Sequence, residues 1–137
     1  MKKIIEVSSI FVLLIMAVSC ASTPGVIPAK YNLDNSLEAV DRISTFKVSS
    51  WEQVDRQSII LKVNYNDYYL LVLRRPIISG YPNLRIGVER TIFSITAGFD
   101  RIVVLELGAP DYYVIDKIYK LKDKEQAKEI KEKLTKK

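Results

Sequence analysis

The chain has 137 residues, a formal net charge of +5, 48% hydrophobic residues, one Cys, one Trp and no His, which suits one small domain and excludes most larger enzyme architectures. Without His, the usual general base near neutral pH and the commonest imidazole ligand are both missing. Neither a His-based triad nor a zinc site of the Cys/His type can be built from this chain alone.

Residues 1–19 read as a signal peptide. Lys2 and Lys3 supply a positive start, residues 7–18 are apolar apart from Ser8 and Ser9, and the run ends in small residues before Cys20. The apolar stretch is about 12 residues against the roughly 20 that span a bilayer as a helix, so a permanent transmembrane helix is the weaker reading. The placement of Cys20 resembles the lipobox of bacterial lipoproteins. That resemblance implies cleavage between Ser19 and Cys20, a diacylglyceryl thioether on Cys20, and acylation of the new amino group by a palmitate-like chain. Burial contributes about 0.8 kcal/mol per CH₂, so several chains on one residue make a stable anchor where a single chain is marginal. With Ala21 after the Cys, the same resemblance implies the outer membrane, facing the periplasm. Cleavage leaves 118 residues with net charge +4 and spends the only Cys on the anchor, so no intramolecular disulfide can form.

Residues 20–41 read as the lipidated Cys and a tether. Positions 21–32 are rich in Pro, Ser, Thr, Ala and Gly with no hydrophobic period, and Leu33, Leu37 and Val40 at near-helical spacing allow one short helical turn. A β-rich domain is predicted over 42–121. Its first strand alternates over 43–48, with Phe46 and Val48 on the inner face. Residues 49–53 carry a hydroxyl followed three residues on by Glu or Gln, the capping-box pattern of a short helical turn. Residues 58–65 and 68–73 are two apolar runs joined by Asn66 and Asp67, an antiparallel hairpin, which Pro76 ends because it cannot donate to the ladder. Further strands are predicted at 84–88, 91–95, 101–107 and 112–119, with turns at Gly98 and at 108–111. Six or seven short strands at this spacing predict a mainly β (α+β) fold, a small antiparallel barrel or curved sheet. Residues 122–137 are strong helix formers with a narrow apolar stripe of Ala127, Ile130 and Leu134, which predicts a basic amphipathic helix lying on a surface.

The final segment has seven Lys against four acids. It reads either as a surface for anionic headgroups or other envelope polyanions or as a solvated helix of mixed charge. The envelope address argues against nucleic acid as a partner despite a pI near 9.3. Arg74 and Arg75, with Arg85, Arg90 and Arg101, are candidates to hold a carboxylate or phosphate. Tyr68 and Tyr69, with Tyr65, Tyr112 and Tyr113, are candidates for an exposed aromatic patch or for cross-strand pairs. Arg74, Arg75, Tyr68 and Tyr69 are thus the candidate ligand or partner contacts. The Asp residues, Asp55 and Asp100 among them, lie at predicted turns, where they cap backbone N–H groups. No catalytic residue, metal ligand or cofactor is assigned.

The order of Ile43 and Phe46, Trp51 with Asp55 four residues on, residues 69–73 (YLLVL), residues 98–103 (GFDRIV) and Ile115 with Ile118 resembles a family of short bacterial lipoproteins of unknown function, over roughly residues 42–122. The resemblance implies the fold and address above and brings no activity. It also implies two cysteines in other members, facing one another after the hairpin's Pro and in the final strand; here Ile77 and Tyr113 stand at those positions. The expected function is that of a lipid-anchored binding or structural module of the cell envelope, not an enzyme. The alternatives are an envelope hydrolase using paired carboxylates such as Asp55 and Asp100, and a ligand-sensing or chaperone-like accessory to an envelope complex.

Overall fold

Residues 59–61 and 70–73 are apolar at every position rather than at alternate ones, a pattern that suits a strand covered on both faces. The computed structural model meets that demand with two layers of packing, one on each side of a curled sheet. It describes residues 26–44, 47–78, 84–89, 93–106 and 108–136; Ser19, Cys20 and Phe46 lie outside the described residues.

The strands are β1 (Glu38–Val40), β2 (Arg42–Ser44), β3 (Val48–Asp55), β4 (Ser58–Val63), β5 (Asp67–Leu73), β6 (Arg85–Glu89), β7 (Ser94–Thr96), β8 (Arg101–Glu106) and β9 (Ala109–Leu121), followed by helix α1 (Lys124–Thr135). The main sheet runs β3-β4-β5-β9-β8-β6 with β1 added alongside β9, and β2 and β7 form a separate pair. Every pairing is antiparallel. The expected curved antiparallel sheet with a C-terminal helix is therefore borne out.

The long strand β9 bends the sheet. Its first half pairs with β8 and its second half with β5 and β1. Leu73 faces Ile115 and Val72 faces Lys117, which leaves Asp116 as the extra residue of a β-bulge. The bulge resets the side-chain alternation. Tyr113, Ile115 and Ile118 enter one core with Ile59, Leu61, Leu71, Leu73, Ile95 and Ile102, whereas Tyr119 and Leu121 enter the other with Ile60, Leu70 and Val72. Helix α1 covers that second core with Ala127, Ile130 and Leu134, the stripe read from the sequence.

Three local expectations need correcting. The stretch read as tether contributes Tyr31, Leu33 and Leu37 to the second core, at 2%, 4% and 7% exposure; its helical element is a 3₁₀ turn at Ala29–Tyr31, and β1 follows. The apolar back of β5 has to be covered, and this segment does so together with the helix. Residues 49–53 are extended, not helical, because Trp51, Glu52 and Gln53 align with Leu61, Ile60 and Ile59 of β4, and a ladder satisfies more backbone groups than an isolated turn. The hairpin turn occupies residues 64–66, with Asn64 at φ 52°, a left-handed conformation that Asn tolerates.

Candidate functional site

Two hydroxyl–carboxylate clusters fasten the N-terminal segment to the sheet. Tyr31 packs its ring into the second core, and its hydroxyl donates to Asp55, lying 2.8 Å from both carboxylate oxygens. The same carboxylate accepts from Lys30 Nζ at 2.7 Å, the Gln57 N–H at 2.9 Å and Ser58 Oγ at 2.8 Å. Burial pushes the Asp55 carboxyl up, but the Lys30 ammonium and the other donors outweigh it and hold it below the usual range. Burial and the bond to Asp55 push the Tyr31 phenol up to about 12. In the second cluster the Tyr119 hydroxyl accepts the Leu33 N–H at 3.1 Å and lies 3.0 Å from both the Tyr31 carbonyl oxygen and Asp34 Oδ1. Lys117 closes on Asp34 at 3.0 Å.

Helix α1 and the β4–β5 hairpin frame a set of shallow grooves. One, of about 500 Å³, lies between Glu52, Ile60 and Tyr68 of the sheet and Lys124, Lys128 and Lys131 of the helix. A neighbouring groove of about 420 Å³ joins Tyr68 and Lys62 to Lys122 and Lys124. Lys62 stands 5.6 Å over the Tyr68 ring, while Lys131 pairs with Glu52. Asp123 caps the helix, its carboxylate accepting the Gln126 N–H at 2.8 Å. Chemically this is a weakly concave, lysine-rich surface with one aromatic face, suited to a charged or amphipathic contact.

The four predicted contact residues do not meet. Tyr68 and Tyr69 open β5, while Arg74 and Arg75 follow its end, about 20 Å away along a strand at roughly 3.3 Å per residue. Tyr68 faces the helix and Tyr69 the opposite core. Three of the candidate arginines are engaged within the chain: Arg74 with Asp116 at 3.3 Å, Arg75 with Asp111 at 2.7 Å and Arg101 with Glu89 at 2.6 Å; Arg90 lies outside the described residues. Arg75 also stacks 4.1 Å from the Tyr113 ring, and Tyr113 Oη donates to Asp111 at 2.6 Å. The bond from Tyr113 and the Arg75 guanidinium hold the Asp111 carboxyl down.

Asp55 is engaged as described, and Asp100 caps a turn, accepting the Thr96 N–H at 2.5 Å. Ile77 and Tyr113 share the first core, and the Ile78 N–H donates to the Tyr113 hydroxyl at 3.3 Å. The positions implied as a cysteine pair are thus brought together, with apolar packing in place of a bridge. Lys62 was not singled out from the sequence; its register opposite Tyr68 in the hairpin was the available signal. Among the described residues, no cluster of His, Cys, Asp and Glu could hold a metal ion, and no helix is long and apolar enough to cross a membrane.

The family described as "family of unknown function (DUF6491)" matches residues 1–137. No curated protein and no solved structure matches the chain.

Proposed function

The chain belongs to this family of unknown function, and from that premise we propose that it is a lipid-anchored protein of the cell envelope, held at the outer membrane through Cys20, whose β domain binds anionic groups presented at that surface. The observation that carries the reading is that the segment following Cys20 and the basic helix are two parts of one layer. Ile27 packs against the second core, and Tyr31 is buried in that core, which Ile130 and Leu134 of α1 also enter. Only residues 21–26 separate Cys20 from that packing, a span of at most roughly 25 Å when fully extended.

An anchor so close to the domain keeps α1 near the headgroups. Lysines within a Debye length of an anionic surface contribute about 1 kcal/mol each. Lys62, Lys124 and Lys128 make no ion pair among the described residues, so that attraction breaks no existing pair. The hydrolase alternative draws no support from Asp55, whose carboxylate already takes four donors in a fastening role.

Two measurements test the reading. A palmitate analogue fed to cells labels the wild type and leaves Cys20→Ala unlabelled; equal labelling overturns the anchor. The lipidated wild type is then placed in vesicles of phosphatidylglycerol or of phosphatidylcholine and its lysines are acetylated. Lys124 and Lys128 are protected in the anionic vesicles, and equal modification in both overturns the headgroup contact.

A further inference from the structure

We propose that β6 is the contact edge of a two-fold homodimer, in which the sheet continues from one chain into a second copy through antiparallel β6–β6 pairing centred on Gly87. The argument begins with what the two edges of the main sheet offer. Edge strand β3 has two register shifts against β4, irregularities that spoil an edge as a template for further pairing. Edge strand β6 pairs with β8 without a shift from Arg85 to Glu89, and among the described residues nothing pairs with its other side. Among the described residues, a regular ladder without a pairing strand therefore remains on that side.

The sequence of β6, Arg-Ile-Gly-Val-Glu, is complementary to itself when reversed. Centring two antiparallel copies on Gly87 sets Arg85 opposite the second copy's Glu89 at both ends and Ile86 opposite Val88. This register is the same whichever alternate residues turn their N–H and C=O groups outward. Arg85 makes no ion pair among the described residues, and Glu89 uses only Oε2 for Arg101. Opposite charges directly across antiparallel strands attract, and like charges repel.

Packing points the same way. Ile86 and Val88 lean on the first core but are only half-buried, and among the described residues no strand pairs along their free side. On the outer face Gly87 aligns with Val103, and Val103 with Tyr112; Tyr112 is 41% exposed and the adjacent Leu105 is 53% exposed. In the pair, these apolar shelves meet across two glycines as one row. A two-fold contact needs such a self-complementary patch.

The test is charge reversal on the full chain, read as mass by sedimentation equilibrium in density-matched detergent. Wild type is a dimer. Arg85→Glu and Glu89→Lys each place two like charges in apposition and weaken association by roughly 10- to 100-fold. A one-to-one mixture of the two variants sets an opposite-charge pair at both ends again and restores the dimer. A wild type that is monomeric at about 100 µM, where even weak interfaces assemble, overturns the proposal, as does a dimer indifferent to either reversal or a mixture that fails to reassemble. Gly87→Cys gives an independent reading. A Cβ there meets only Val103 Cβ, at 4.0 Å, so the variant folds; paired Cα atoms are about 4.5–5.5 Å apart, within disulfide reach. Mild oxidation yields a dimer band beyond the wild-type baseline, and its absence overturns the register.

Discussion

Replacing Asp55 by Ala removes the acceptor for four donors at once. Ser58 is fully buried and Tyr31 is 2% exposed, so both hydroxyls lose a partner where water has poor access. Each buried donor left unsatisfied costs about 1–3 kcal/mol. The Gln57 N–H sits in a turn and adds less, and the Lys30 pair, with half of the lysine side chain exposed, adds at most about 1 kcal/mol. The expected loss is about 3–4 kcal/mol out of a typical 5–15 kcal/mol. Equilibrium urea unfolding of wild type, Asp55→Ala, Tyr31→Phe and the double variant gives the loss and its coupling. Tyr31→Phe alone costs about 1 kcal/mol, and the cycle returns a coupling of at least about 0.5 kcal/mol. A loss under about 0.5 kcal/mol for Asp55→Ala, or strict additivity, would refute the claim that this carboxylate fastens the N-terminal segment.

The same cluster sets two pH dependences. Asp55 is held below its ordinary value, so its contribution is present at neutral pH and is lost as pH falls below about 3.8 through the folded-state value. Tyr31 rises from 10.0 to about 12, so its contribution is complete below pH 10 and fades toward pH 12; urea midpoints of Tyr31→Phe and wild type therefore converge over that window. Ile130→Ala, at a site 7% exposed beneath the helix, costs about 2–4 kcal/mol by cavity formation, against under 0.5 kcal/mol for exposed Lys128→Ala, both read from urea midpoints. Gly98→Ala meets no atom within 4 Å but must hold φ +81°, so thermal unfolding should report a loss of about 1 kcal/mol from backbone strain alone.

The β4–β5 hairpin was legible because its two apolar runs are local, while its turn was placed two residues late, at Asn66 and Asp67 in place of Asn64. Helix α1 was legible for the same reason, its strong helix formers and its stripe being contiguous in the chain. Residues 29–37 were not, since Tyr31, Leu33 and Leu37 are too few and too unevenly spaced to announce burial. The clue lay elsewhere, in residues 70–73: four consecutive apolar positions need two covering layers, and one short helix cannot supply the second. Residues 49–53 misled because a capping box and an edge strand can share the same five residues; pairing with Ile59–Leu61, remote from the box, decides between them. At the candidate site, Arg74 and Arg75 looked free because Asp111 and Asp116 lie some forty residues away, and only the path of β9 beside β5 joins them.

The bulge at Asp116 bears on how the domain comes apart. Beyond it β9 serves both cores through Ile118 and Tyr119, as β4 and β5 do through adjacent residues such as Ile59 and Ile60, or Leu71 and Val72. Neither core can lose its packing without stripping the backs of the strands that line the other. The two layers are therefore one melting unit, and the segment leading from the proposed anchor is held in place by the whole of the domain rather than by its nearest neighbours.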